Sequence, residues 1–182
     1  MVNQTKPQGI VRDRKREIMQ AATDLVVDGG LTNWSIDKCS QRARCTKGLV
    51  LHYFKSKDAL LNQLAASLLA ERWTRWAAAL SGGGIGGLDT LWSRLSDEAK
   101  RASARAILEL RLAGVSGATL PPKETTELQR LLARALDLPA DELPAAGVLE
   151  PLLEGYLLAL LGGVPDEEVR EAFFQYWLSY VK

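Results

Sequence analysis

Histidine is almost missing from this 182-residue chain: His52 stands alone, and Cys39 and Cys45 are the only cysteines. A Ser/His/Asp or Cys/His arrangement therefore has little to draw on, no paired carboxylates stand out, and no second Cys or His pair completes a zinc site. An enzyme is not expected, nor is a catalytic centre, a metal site or a cofactor. Cys39 reads as a small core residue and Cys45 as a packed turn residue. Long apolar runs are missing too, none reaching the roughly 18 residues that a spanning helix needs. Met1 to Arg16 is polar and basic, with no apolar signal core, so a cytoplasmic chain with no membrane partner is expected. Strand-type alternation bounded by turn residues does not occur, and there is no internal repeat.

What is present is enough apolar side chain for a core, 47% of residues against 25% charged, which excludes the disordered and fibrous classes. The net charge of +1 conceals an asymmetry. Residues 1 to 60 hold 11 Lys and Arg against 6 Asp and Glu, whereas the rest of the chain holds 12 against 16. A chain with one basic end commonly turns that end toward a polyanion.

Helical spacing runs along the whole sequence and predicts an all-α chain. Ile18, Ala22, Leu25 and Val26 place a first helix over Arg12 to Asp28, stopped by Gly29-Gly30. Ser35 can cap a short second helix with Ile36, Cys39 and Ala43 on one face, ending near Arg44. Thr46 can cap a third, from Lys47 to about Lys55, with Val50 and Phe54 turned inward. Ser56 can cap a long fourth that runs through Leu61, Leu64 and Leu68 to about Leu80. Ser81 to Gly87, five glycines in seven residues, is expected to be a flexible loop. Further helices are expected over 89 to 115, 123 to 137, 144 to 162 and 166 to 181.

Two short helices braced by longer neighbours present the second as a rigid rod, and the B-DNA major groove admits such a rod. Lys47 and Thr46 would meet base edges, Gly48 would allow close backbone approach, and Leu51 could touch a thymine methyl. His52, Arg42, Arg44, Lys55 and Lys57 are placed for phosphate contacts, because the start of a helix and basic side chains both favour anions. Ser35 and Thr46 are helix caps first, with phosphate contact as an added role. Tyr53 and Phe54 read as residues that seat the rod.

Residues 12 to 61, above all Thr46-Lys-Gly-Leu-Val-Leu-His-Tyr-Phe-Lys-Ser-Lys-Asp-Ala-Leu-Leu61, resemble the DNA-binding domain of the TetR (tetracycline-repressor-like) family. The family pattern Lys-Gly-x-Leu-Tyr-His-Tyr-Phe-x-Ser-Lys-Glu-x-Leu is kept at Lys47, Gly48, His52, Tyr53, Phe54, Ser56, Lys57 and Leu60. Two positions depart from it: Arg44 replaces the usual turn glycine, and Leu51 replaces a tyrosine that commonly touches the DNA backbone. The resemblance implies a three-helix DNA-binding domain over residues 1 to 56 and a helical effector-binding and dimerisation domain over 57 to 182. It also implies a repressor that releases double-stranded operator DNA when a small apolar effector binds.

The C-terminal part is compatible with that expectation. Leu149 to Leu161 and Phe173 to Val181 are apolar on more than one side, which calls for a second burial partner, most simply a twin subunit in a homodimer. Trp73, Trp76 and Trp92 are candidate walls of an effector pocket, with ordinary core packing as the alternative. Arg105, Glu109 and Arg111 are polar groups on a segment expected to be largely buried. The competing function is a helical interaction adaptor that has lost DNA binding.

Overall fold

The computed structural model describes residues 8 to 181; residues 1 to 7, the start of the expected first domain and of its basic end, lie outside the described residues. The described chain is all-α. It runs α1 (Gln8–Gly29), a 3-10 turn (Leu31–Asn33), α2 (Ile36–Arg42), α3 (Lys47–Phe54), α4 (Lys57–Leu80) and α5 (Gly84–Ala99). It continues with α6 (Ala102–Leu112), a 3-10 turn (Ser116–Ala118), α7 (Pro122–Leu136), a third 3-10 turn (Ala140–Glu142), α8 (Ala146–Leu161) and α9 (Asp166–Leu178).

Side-chain caps set the starts of the short N-terminal helices, because a hydroxyl can accept from amides that have no carbonyl partner within the helix. Ser35 Oγ accepts from Lys38 N at 3.1 Å, Thr46 Oγ1 from Leu49 N at 3.2 Å, and Ser56 Oγ from Ala59 N at 3.0 Å. One apolar core gathers Ile18, Ala22 and Val26 of α1, Cys39 of α2, Val50 and Phe54 of α3, and Leu60, Leu61 and Leu64 of α4. Ile107 and Leu110 of α6 join it, so this core extends well beyond the first 56 residues.

A second core packs Trp76 and Leu80 of α4 against Leu88, Leu91, Trp92 and Leu95 of α5, with leucines of α7 and α8 and Phe173 and Trp177 of α9. Since α4 contributes its first half to one core and its second half to the other, it is the shared spine. The glycine-rich stretch differs from the expected loop: only Ser81 to Gly83 lie outside a helix, and α5 begins at Gly84. Burial of the Leu88, Leu91 and Leu95 stripe outweighs the helix cost of Gly84, Gly86 and Gly87. The single helix expected over 89 to 115 is likewise two helices, broken at Lys100 and Arg101. That break lets Glu98 face α4 while Ala106, Ile107 and Leu110 face the first core.

Between the two cores lies a cluster of ionic groups. Arg72 of α4 is 0% exposed; it pairs with Glu154 of α8, and its Nε is 3.5 Å from Oε1 of Glu98, itself 1% exposed. Arg75 donates to the same Glu98 at 3.1 Å through its Nε. Arg111 of α6 pairs with buried Glu150 of α8 and donates to the Ala118 carbonyl at 2.7 Å, while Glu150 accepts from Leu120 N at 3.1 Å. Removing one partner would leave an uncompensated buried charge, which costs far more than a surface pair contributes.

The 3-10 turn Ser116–Ala118 lies directly on α4. Gly117 N donates to Asn62 Oδ1 at 3.1 Å, and a Cβ at Gly117 would sit 2.1 Å from the Asn62 carbonyl oxygen. Backbone cannot move aside as a flexible side chain can, so Gly117→Ala should destabilise the chain by about 2 kcal/mol or more through overpacking. Thermal unfolding followed by circular dichroism checks this, and an unchanged midpoint would contradict the packing described.

Candidate nucleic-acid interface

The chain between α2 and α3 turns sharply without glycine. Arg44 adopts φ 49°, a left-handed conformation that carries a steric cost for a residue with a side chain. Local bonds hold it there: Arg44 N donates to Gln41 O at 3.1 Å, and Cys45 N to Ser40 O at 2.9 Å. Cys39, one turn earlier, is buried with its Sγ 3.6 Å from the Ile18 carbonyl. Burial, reinforced by Cys45 nearby, pushes its thiol up to about 11, so it stays protonated at neutral pH. Cys45 is half-buried, and desolvation raises its thiol as well.

Turning the chain this way seats α3 by Val50 and Phe54, both buried. Thr46, Lys47, Gly48, Leu51 and His52 are all exposed on the opposite side. Leu51, 36% exposed, is a large apolar side chain facing water beside a lysine and a histidine. Nothing inside the fold requires a glycine at position 48, since a Cβ there would approach only Thr46 Oγ1, at 3.9 Å. Tyr53 is half-buried, its ring 5.5 Å from that of His52, and it packs on the first core.

Two basic groups, Lys47 expected at base edges and Arg42 expected at phosphates, already have partners. Lys47 Nζ lies 3.1 Å from Asp37 Oδ1 of α2, and Arg42 lies 3.0 Å from Asp28 of α1. Both pairs are exposed, so exchanging either carboxylate for another anion costs little. Lys57, in the first turn of α4, lies 5.6 Å above the Trp34 ring, which fixes its stem while leaving it exposed. Arg44 and Lys55 are also exposed, whereas Ser35 is half-buried.

Three residues near this face were not singled out from the sequence. Asp37 needed the α2–α3 geometry to be seen beside Lys47. Lys15 and Arg16 of α1 line a groove of about 580 Å³ with His52, Tyr53 and Lys55. Their basic run is visible in the sequence, but its neighbour at the end of α3 is set by tertiary packing.

The candidate effector residues do not converge. Trp73 lines an apolar cavity of about 480 Å³ between α4 and the segment from Ser116 to Glu124. Trp76 and Trp92 are instead packed in the second core, 1% and 6% exposed, as in the core alternative. Glu109 accepts from Leu31 N at 2.8 Å, tying α6 to the 3-10 turn after α1, and Arg105 pairs with it at 3.1 Å. Arg111 is engaged in the ionic cluster.

Residues 18–64 match the family of bacterial regulatory proteins, tetR family. Over 56 residues the chain is 34% identical to the HTH-type transcriptional regulator BetI 1 of Chromohalobacter salexigens. That stretch is 31% of this chain and 28% of that protein, so the match spans under a third of the curated relative's length. Solved structures are similar over nearly the whole chain. A TetR family transcription regulator from Marinobacter aquaeolei aligns at 17% identity with a TM-score of 0.62, covering 96% of this chain and 98% of that one. The multidrug binding protein EbrR complexed with imidazole aligns at 22% and 0.67, covering 93% and 95%. A transcriptional regulator from Rhodococcus sp. Rha1 aligns at 21% and 0.68, covering 92% and 95%. The all-α fold, an N-terminal helix-turn-helix unit followed by a helical C-terminal part, is therefore shared with these structures along the chain.

Because Gly48 is helical, exposed and unconstrained by neighbours, Gly48→Ala should raise stability by about 0.5–1 kcal/mol, the ordinary gain in helix propensity. Chemical denaturation measures this. A loss of stability would mean that Gly48 serves the fold and not its outer face.

Proposed function

We propose that this chain, whose helix-turn-helix domain is of the TetR family, is a DNA-binding transcriptional regulator that holds operator DNA as a homodimer. The observation that carries the reading is the outer face of α3: Thr46, Lys47, Gly48, Leu51 and His52 exposed together on a helix clamped from behind by Val50 and Phe54. Lys47 would leave Asp37 for a base edge or phosphate, and Gly48 would let the α3 backbone approach the groove. Leu51 would offer an apolar contact to a thymine methyl. Arg44, Lys55 and Lys57 would hold phosphates on either side, with Lys15 and Arg16 extending the footprint. Ser35 and Thr46 would add amide contacts at the starts of α2 and α3.

A dimer face is supported on α8. Val148, Pro151, Gly155 and Leu158 are all exposed and recur at three- and four-residue spacing, forming one apolar stripe. Val148 and Leu158 are 52% and 53% exposed, and a Cβ at Gly155 would meet nothing within 4 Å, so a second helix can approach closely. Leu178 and Val181, at and beyond the end of α9, are exposed too. A twin α8–α9 pair across a two-fold axis would cover this face.

In this reading residues 1 to 56 form the DNA-binding domain, Lys57 at the start of α4 adds a phosphate contact, and the remainder binds effector and twin subunit. The chain acts as a repressor whose operator affinity falls when a small apolar effector enters the cavity beside Trp73. The cavity wall is α4 itself, the helix on which α3 is seated, so an occupant that favours a different tilt of α4 would move the two recognition helices relative to one another.

Binding of the full chain to an operator selected from random duplexes should weaken steeply with salt, with a log–log slope of about −0.9 per phosphate neutralised. Lys47→Ala should cost roughly 1–3 kcal/mol of operator affinity if it contacts a base. Retention on DNA that is indifferent to salt and to this substitution would favour the adaptor reading. Leu158→Asp should shift the dimer–monomer midpoint upward by about tenfold or more by burying an unpaired charge. Sedimentation equilibrium reads that shift directly, and an unmoved midpoint would place the interface elsewhere.

A further inference from the structure

The cavity beside Trp73 is apolar with one discordant group. Its walls include Leu69, Ala70 and Trp73 of α4 and Leu120 and Pro121 of the segment before α7, and Glu124 lines it as well. Glu124 is half-buried, and its Oε2 is shut off from solvent with no hydrogen-bond partner. Of the other polar residues there, Asn62 and Ser116 engage one another: Asn62 Oδ1 accepts from Ser116 Oγ at 2.9 Å and from Gly117 N at 3.1 Å, and Thr119 adds a neutral hydroxyl to the wall. Among the described residues that line the cavity none is a lysine or an arginine, so the carboxylate has no countercharge within the walls. The neighbouring Arg111 faces Glu150 and the Ala118 carbonyl instead.

A carboxylate oxygen withdrawn from water without a hydrogen-bond partner is compensated when a cation lies nearby, and its place in the first turn of α7 supplies only part of that compensation. An indole face in the same wall also attracts positive charge. We infer that the cavity accepts a small organic cation with a flat apolar body, the charge held by Glu124 and the ring system laid against Trp73. A volume of about 480 Å³ suits a bicyclic to tricyclic molecule. This inference rests on the reading of the cavity as an effector site, and it adds the sign of the effector's charge.

The test uses isosteric probes on the full chain: N-methylquinolinium as the cation, 1-methylnaphthalene as its neutral match and 1-naphthoate as the anion, with binding measured by calorimetry. The cation should bind tightest, and Glu124→Gln should weaken it about tenfold, as expected for loss of a partly desolvated ion pair, while leaving the neutral probe within about twofold. Trp73→Leu should weaken the cation while its thermal midpoint stays near that of the parent chain. Preference for the neutral or anionic probe, an unchanged cation affinity in Glu124→Gln, or no cation binding would each overturn the inference. Operator retention measured on the same samples separates the two readings. A chain that binds DNA and prefers the neutral probe loses only the charge assignment. One that binds the cation through Glu124 but never binds DNA loses only the regulator.

Discussion

Arg72 is the interaction on which the rest of the architecture depends. A guanidinium with no exposed surface must be met by carboxylates, and these come from two other helices, Glu98 of α5 and Glu154 of α8. Meeting that one charge ties three helices together, with the Trp76 ring against the guanidinium and Arg75 sharing Glu98 with it. Arg72 sits in the half of α4 that belongs to the C-terminal part, while the other half supplies Leu60, Leu61 and Leu64 beneath α3. The seat of α3 and the ionic cluster are thus carried by a single continuous helix.

Most of the N-terminal architecture was legible in the sequence because its signals are local. Ser35, Thr46 and Ser56 announce three helix starts, and the spacing of Val50 and Phe54 separates the seated side of α3 from the outer one. Helix boundaries there agree with the reading to within a residue or two, except that α1 begins earlier, at Gln8. Arg44 was legible as the residue that replaces a turn glycine, and the structure gives it a positive φ.

What stayed hidden depended on partners distant in sequence. Glycine content argued for a loop over 81 to 87, yet α5 starts at Gly84 because Leu88, Leu91 and Leu95 find a buried surface. The break at Lys100 and Arg101 carries no proline or glycine to announce it, and it accompanies the pairing of Glu98 with arginines of α4 on one side of it. Trp73, Trp76 and Trp92 looked equivalent as aromatic residues, but packing sends two of them into the core and leaves one at a cavity. Asp37 beside Lys47 and Glu124 in the cavity wall are ordinary acidic residues on a helix until a fold supplies their neighbours.

The contact of Gly117 with Asn62 has a mechanical consequence. There is no slack between the turn and the helix, since even one methyl group would overlap the Asn62 carbonyl. A guest that pushes the turn aside cannot do so by compressing a soft side chain, and the displacement must pass into α4 itself. Asn62 is only five residues from the start of that helix, about 8 Å along its axis. The turn therefore bears on α4 within two helical turns of Lys57 and the end of α3, a short stiff linkage in which the missing side chain is what permits the contact.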